Sequence, residues 1–298
     1  MNKILSVLVI AFCVSGHAQE SLLPGELKLD EISIKAKSKD LQQVDGFLMK
    51  YKKGKLPKDS VKVVTELYNH LGLITSKVSV NPKNPAQFSK LSYGYFNDKL
   101  VEYAWIQNNG AGVDGRTGNF KYDGKGRCIE QTHSLATIRY AYNDKGNLAT
   151  KSYHYNNGGS ETKPWVHYYL YDENDWLIHV SEDPDSKDQT YFYDSTGQLI
   201  LNNYYPGVAY SSYEYDEKGN CTLQTDYEAS KKGWDSTAYV FTYYPDGKIK
   251  TSGVLGKKGK VFLTEEYLYN KKGEMKCVYY FKRNKRKRMK RFQLTYSE

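Results

Sequence analysis

Histidine, cysteine, serine and carboxylate side chains are the groups that could do chemistry, and their spacing in this chain points away from catalysis. Beyond residue 18 the histidines are His70, His133, His154, His167 and His179. None stands in a His-x-x-x-His or His-Glu-x-x-His pair, the spacings that bring two imidazoles to one metal. The stretch Asp183-Pro-Asp-Ser-Lys-Asp188 offers carboxylate oxygens to calcium. It lacks the glycine and the closing bidentate Glu of a calcium loop, so it reads as a polar turn. No serine or cysteine sits in a nucleophile-elbow pattern, and no glycine-rich stretch has the form that cradles phosphate. Paired carboxylates could work on a glycosidic bond, yet most Asp residues here are turn formers. The expectation is a protein without catalytic residues, metal or cofactor.

Two sets of residues are suited to binding instead. Trp105, Trp165 and Trp234 can stack on saccharide rings or meet a partner protein. Lys163-Pro-Trp165 and Lys232-Gly-Trp234 fall in the two long linkers between repeats. The competing reading places these tryptophans at the edge of a core, where Trp is commonly found. The second set is the tract Lys282, Arg283, Lys285, Arg286, Lys287, Arg288, Lys290 and Arg291. The chain carries a formal net charge of +9, but residues 19–281 hold 34 basic and 33 acidic side chains, so the excess is concentrated in that tract. Such a run is either the solvated tip and flanks of a terminal hairpin, whose charges keep sheet edges apart, or a contact for lipid head groups, lipopolysaccharide or acidic glycan. Nucleic acid would satisfy the same charges, but export of the chain weighs against that partner.

The elements that must position these residues are legible from tyrosine. It occurs 29 times, against 10 Phe and 4 Trp, and a large ring with a polar tip suits a half-buried sheet face. Much of it recurs in one unit: aromatic-x-Tyr, then Asp or Asn, two further residues and Gly. Seven copies begin at Phe120, Tyr140, Tyr169, Tyr191, Tyr213, Phe241 and Tyr267, and a shorter relative runs Tyr93-Gly-Tyr-Phe-Asn-Asp-Lys-Leu100. Asp or Asn accepts a hydrogen bond from backbone two residues on, and Gly takes the positive φ of a type I turn closed by a G1 bulge. Each unit is therefore a β-hairpin. Its second Tyr faces the residue two after the Gly position: Cys128, Leu148, Leu177, Leu199, Cys221, Ile249 or Met275. Because side chains alternate, both aromatics and that residue share one face. Lys121, Ala141, Leu170, Phe192, Glu214, Thr242 and Leu268 take the other. Cys128 and Cys221 fall on the tyrosine face, and Cys277, two residues past Met275, is expected there too. Successive hairpins advance ~10 Å along a sheet, too far for disulfides between these positions, so all three are expected as core thiols.

The tandem unit resembles that of the YD-repeat, or Rhs-type, proteins of bacterial envelopes and secreted toxins. Their hallmark Tyr-Asp-x-x-Gly-x-Leu is matched at Tyr193-Asp-Ser-Thr-Gly-Gln-Leu199, and residues 91–281 carry the resemblance. It implies an antiparallel sheet that winds in a spiral, with an extracellular role in binding or encapsulation. Asp175 for Gly in the third copy and Tyr244 for Asp in the sixth depart from the pattern. The array is short and lacks the C-terminal toxin region of large members. A curved open sheet or small barrel is therefore expected in place of a closed toxin-holding shell.

At the start of the chain, Met1-Asn-Lys3, an apolar run from Ile4 to Val14, and small residues at Gly16 and Ala18 form the pattern of a secretory signal peptide cleaved after Ala18. The apolar run is too short to span a bilayer, and bulky Phe12 before Cys13 does not suit lipoprotein processing. Val61, Val64, Tyr68 and Leu71 fall at helical spacing with Asp59 and Gly72 as caps, which predicts one helix in a small α+β cap. Leu29-Asp-Glu-Ile-Ser-Ile34 reads as an edge strand and loosely resembles the envelope-coupling box of TonB-dependent proteins. The expected divisions are 1–18 signal peptide, 19–90 N-terminal region, 91–281 hairpin repeats and 282–298 basic C-terminal hairpin. A transmembrane barrel is not expected, since Lys121, Lys151 and Glu214 interrupt any apolar band. The fold expected is mainly β: tandem antiparallel hairpins in a curved or spiralling sheet. The function expected is non-catalytic binding of an envelope glycan or surface, in the periplasm, at the cell surface or outside, by a peripheral protein. The alternative is a scaffold that docks on another envelope protein.

Overall fold

The computed structural model describes residues 41–51, 55, 60–156, 163–186 and 188–296. The strands are β1 (Leu41–Lys50), β2 (Val61–Tyr68), β3 (Ile74–Asn81), β4 (Asn84–Phe96), β5 (Lys99–Asn108), β6 (Val113–Tyr122) and β7 (Cys128–His133). They continue through β8 (Ala136–Tyr142), β9 (Leu148–Tyr155), β10 (Trp165–Tyr171), β11 (Leu177–Ser181), β12 (Gln189–Tyr193), β13 (Leu199–Tyr205) and β14 (Ala209–Tyr215). The last are β15 (Cys221–Ser230), β16 (Gly233–Tyr243), β17 (Ile249–Leu255), β18 (Val261–Tyr269), β19 (Met275–Lys282) and β20 (Lys285–Tyr296). Each pairs antiparallel with the next, and β20 pairs with β1 from Leu41↔Tyr296 to Lys50↔Arg288. The result is a closed up-and-down barrel of twenty strands, which excludes the curved open sheet and is far larger than the small barrel that the repeats suggested. Closure satisfies the two edges that an open array would leave unpaired. At ~4.8 Å per strand, and with the tilt of ~40° usual in barrels, the circumference is about 125 Å, so a round ring would be about 40 Å across, too wide for side chains alone to fill.

The turns follow from the motif. Asp123 N–H donates to the Arg127 carbonyl at 2.9 Å, and Gly126 N–H returns to the Asp123 carbonyl at 2.9 Å. The Asp123 carboxylate accepts from the N–H groups of Lys125 (3.0 Å) and Arg127 (2.8 Å). Asp172, Asp194, Asp216 and Asn270 repeat this pair of bonds. Asp175 takes the Gly position with φ 62°, a conformation Asp tolerates better than most residues. Where Tyr244 replaces Asp, Asp246 accepts the Lys248 N–H at 3.2 Å instead. The register is the one read from the sequence: Tyr122↔Cys128, Tyr142↔Leu148, Tyr171↔Leu177, Tyr193↔Leu199, Tyr215↔Cys221, Tyr243↔Ile249 and Tyr269↔Met275.

The same tyrosines also reach backwards. Tyr122 Oη donates to the Leu100 carbonyl (2.6 Å), Tyr142 to Cys128 (2.6 Å), Tyr193 to Leu177 (2.9 Å) and Tyr215 to Leu199 (2.7 Å). Tyr243 donates to Cys221 (2.6 Å), Tyr269 to Ile249 (3.1 Å) and Tyr95 to Ile74 (2.7 Å). Each acceptor belongs to the residue opposite the motif tyrosine of the preceding hairpin. One side chain thus ties three strands, with a net contribution of about 1 kcal/mol per bond.

Three further expectations are corrected. The helix ending at Gly72 is strand β2 and its turn. Asn69 Oδ1 accepts from Leu71 N–H and Leu73 N–H (both 3.0 Å), Gly72 N–H donates to the Asn69 carbonyl, and Tyr68 pairs with Ile74. Tyr68-Asn-His-Leu-Gly72-Leu-Ile74 is another copy of the motif, and its apolar residues fall at helical spacing by coincidence. Among the described residues of 41–90 there is no α+β cap, only strands of the same ring. Asp59, Leu29–Ile34 and the signal segment lie outside the described residues. Cys277 leaves the tyrosine row, because a bulge between Leu268 and Tyr269 shifts the register so that Cys277 pairs with Leu268. It packs with Met49, Met289, Leu268 and Tyr279. Finally, the basic tract is not a free terminal edge: β20 is paired on both sides, with β19 and with β1.

Asn69→Ala separates the strand-and-turn from a helix at this position. It should lower stability by about 1–2 kcal/mol in urea unfolding, through two lost turn bonds. In a helix Ala would be neutral or stabilising there.

Candidate functional site

Paired residues share a face of the sheet, which sorts every candidate to the inner or outer wall. Leu100, Tyr103, Phe120, Cys128, Ile138, Tyr140 and Tyr153 form a buried cluster on the inner wall of β5–β9. Trp105 follows Tyr103 by two residues and so points the same way. Its Nε1 donates to Ser89 Oγ (3.1 Å), and Arg116 lies over its ring at 5.9 Å. Trp165 pairs with Tyr153, its ring centroid 5.1 Å from that of Tyr153 and 4.4 Å from the edge-on ring of His167. Both tryptophans are half-buried members of the inner wall.

Trp234 is placed differently. It is 51% exposed at the start of β16, with its ring 5.3 Å from Tyr210, which stacks on Tyr227 at 4.4 Å. Ser211, next to Tyr210, is fully buried inside, so the three rings stand on the outer wall. The structure therefore does not unite the three tryptophans: they lie on β5, β10 and β16, which are not neighbours in the ring.

The basic tract is divided in the same way. Lys282, Arg283 and Lys285 are exposed around the β19–β20 turn, as are Lys287 and Arg288. Arg286 bonds Glu266 at 2.8 Å and its guanidinium covers Tyr279 at 4.1 Å. Lys290, over Phe292 at 5.1 Å, is half-buried; burial, and secondarily the charge of Lys77, pull its pKa below the usual lysine range. Arg291 lies 5.7 Å over Phe47. Strand alternation splits a continuous run of charge between two walls and a rim.

An inward polar chain escaped the sequence reading. Tyr204 and Ser211 are hydrogen-bonded through their hydroxyls, Ser211 is bonded to Asp226, and Gln224 Nε2 donates to Asp226 Oδ1 at 2.8 Å. These residues come from β13, β14 and β15, and the available signal was polarity at positions that alternation turns inward. The serine hydroxyl meets a carboxylate directly, without the imidazole that would take its proton in a hydrolase triad. Asp183 Oδ1 accepts the Asp185 N–H (3.0 Å) in a turn, and Asp188 Oδ2 accepts from Glu182 N–H and Ser186 Oγ. Among the described residues no group of three or more His, Cys, Asp or Glu side chains is placed to hold a metal. Burial, with Arg116 nearby, keeps the His133 imidazole below its usual pKa. Cys128, Cys221 and Cys277 are free and buried, and burial pushes the first two thiols up to about 11.

The family described as Teneurin YD-shell matches residues 29–234, more than half of the chain. A search of curated proteins returned no match. Among solved structures, a TcdB2-TccC3-Cdc42 complex aligns with a TM-score of 0.31 and 14% identity over 82% of this chain and 18% of that one. The Tc holotoxin pore of Photorhabdus luminescens aligns with a TM-score of 0.30 and 14% identity over 78% and 16%. A porin-like protein from Bacteroides uniformis aligns with a TM-score of 0.33 and 10% identity over 86% and 98%. The chain thus spans less than a fifth of the two toxin chains. No helix of the described residues is long and apolar enough to cross a membrane.

Burial pushes the hydroxyls of Tyr95, Tyr122, Tyr142 and Tyr193 from the ordinary 10.0 up to about 12. A raised folded pKa means the protonated hydroxyl is favoured by folding. Its contribution is complete below pH 10 and is lost as pH rises through about 12. The barrel should hold its circular dichroism to about pH 10 and unfold cooperatively between there and about pH 12; an alkaline titration in which tyrosine ionises without loss of structure would contradict it.

Proposed function

The chain belongs to the teneurin YD-shell family, and from that premise we propose that it is an exported, non-catalytic shell of the bacterial cell envelope that serves as a scaffold for another envelope protein. The supporting observation is the outer wall at β10–β13. The middle residue of the aromatic-x-Tyr unit points outward, and there Leu170 is 55% and Phe192 50% exposed, with Ile200 at 40% beside them. Outward positions on β6–β8 carry charge instead: Lys121 bonds Glu130 at 2.6 Å, and Arg139 bonds the same carboxylate at 3.3 Å. A wall bearing such groups lacks the continuous apolar band that lipid requires, while a local apolar patch in a polar wall suits a protein partner. Export rests on the signal-peptide pattern of residues 1–18. A photo-crosslinker at Phe192, in intact cells, should give one dominant protein adduct that is missing when it is placed at Lys121. Equal, diffuse labelling from both positions would defeat the scaffold reading.

A second reading has its own observation. In the outward cluster the exposed Trp234 ring stands edge-on (66°) to Tyr210, which stacks on Tyr227, and an exposed indole face of this kind can stack on a pyranose ring. If the shell also binds envelope glycan there, added polysaccharide should shift tryptophan emission in the native chain and not in Trp234→Phe. Silence across a broad glycan panel would remove this reading.

A further inference from the structure

In an up-and-down barrel the hairpin tips alternate between two rims. The Asp- and Asn-based motif turns all lie on one of them. The opposite rim holds the β15–β16, β17–β18, β19–β20, β1–β2 and β3–β4 connections, which closure makes five consecutive tips. Their turns read Ser230-Lys-Lys-Gly233, Gly256-Lys-Lys-Gly-Lys260, Lys282-Arg-Asn-Lys285 and Asn81-Pro-Lys-Asn84, with no carboxylate in any of them. Lys50 and Lys55 stand at the β1–β2 connection. Lys231, Lys232, Lys257, Lys258, Lys260, Lys282, Arg283, Lys285, Lys50, Lys55 and Lys83 are all exposed. Adjacent tips are ~12 Å apart at the usual tilt, so the bases spread over an arc of about 50 Å. On the same rim the turns at Asn108–Gly112 and Glu182–Ser186 are neutral and acidic, respectively.

We propose that this arc is a peripheral docking surface for an anionic membrane, with lipid phosphate groups as its ligand. Two features favour a membrane over a soluble polyanion. The bases stand on separate neighbouring tips along an arc and not in one groove, which suits an extended surface better than a polymer strand. Exposed apolar side chains also stand among the bases: Trp234 next to the Lys231-Lys232 turn, and Val261 and Phe262 (each 37% exposed) after Lys260, whose ammonium lies 5.3 Å over the Phe262 ring. Bases mixed with aromatic tips are the composition that seats a protein at a head-group interface. The carboxylates nearest the β15–β16 tip, Glu228 and Asp235, pair with each other on the face opposite Trp234. The scaffold reading concerns the outer wall and this one the rim, so neither depends on the other.

The test is sedimentation of the full chain with vesicles of phosphatidylglycerol mixed into phosphatidylcholine, against phosphatidylcholine alone. The difference between the two is the readout, which cancels any insertion by the apolar N-terminal run. Charge reversal at Lys257, Lys258 and Lys260 together, outside the basic tract, should reduce the anionic preference roughly tenfold. Reversal at Lys125, Lys218 and Lys271 on the motif-turn rim should leave it unchanged. Emission should shift on anionic vesicles, and that shift should disappear in Trp234→Phe. The proposal is overturned if the first reversal has no effect, if both rims respond equally, or if the shift survives in Trp234→Phe. It is equally overturned if inorganic phosphate displaces the protein more than chloride does at the same ionic strength. Binding to a soluble acidic polysaccharide without vesicle binding would reassign the arc to that partner.

Discussion

A tyrosine hydroxyl donated to the backbone of the hairpin behind it is the contact on which the rest of this barrel depends. Within a hairpin, the Asp or Asn turn and the bulge beside it set register, but they say nothing about how one hairpin meets the next. Tyr122, Tyr142, Tyr193, Tyr215, Tyr243 and Tyr269 each supply that link by reaching the carbonyl of Leu100, Cys128, Leu177, Leu199, Cys221 or Ile249. Phenylalanine would bury a similar ring and leave the bond unmade. This is a physical reason for a composition with 29 Tyr and 10 Phe. The bonds are individually worth about 1 kcal/mol, so their effect lies in repetition.

Closure extends the same device to the chain ends. Tyr296 pairs with Leu41 just as Tyr122 pairs with Cys128, and in both places the register shifts at the adjoining position. The first and last strands therefore rebuild, from two ends of the chain, a hairpin that lacks only its turn. Tyr296 and Glu274 are bonded through their side chains, and Lys272 lies over the Tyr296 ring at 3.9 Å. Joining residues so distant in sequence carries a loop-closure cost that grows only slowly with length, and it removes both exposed sheet edges.

A closed wall also separates the surfaces available for binding. The tyrosine face turns inward together with Trp105 and Trp165, while the middle residue of each motif turns outward. Leu170 and Phe192 consequently belong to a surface that partners can reach, as does Trp234 near the rim. The walls and the rims can serve different contacts, since no rigid-body change is needed to expose any of them.

The hairpins, their register and the two faces were legible in the sequence, because Asp or Asn, Gly and the alternation of side chains act over a few residues. Family resemblance could be read from the same motif. The copy at Tyr68 was equally legible but was masked by a helical coincidence of Val61, Val64 and Leu71, where β-branched residues in a register that continued the array decided for strand. Cys277 could not be placed, because a one-residue bulge changes its face and turn chemistry does not announce that bulge two residues farther on. Ring closure stood in the sequence only as one of two alternatives, for a different reason: it depends on curvature summed over twenty strands and on complementary edges hundreds of residues apart. Only the tertiary structure could therefore decide that the basic tract is an interior strand, that two of the three candidate tryptophans face inward, and that separate lysine turns stand side by side on one rim.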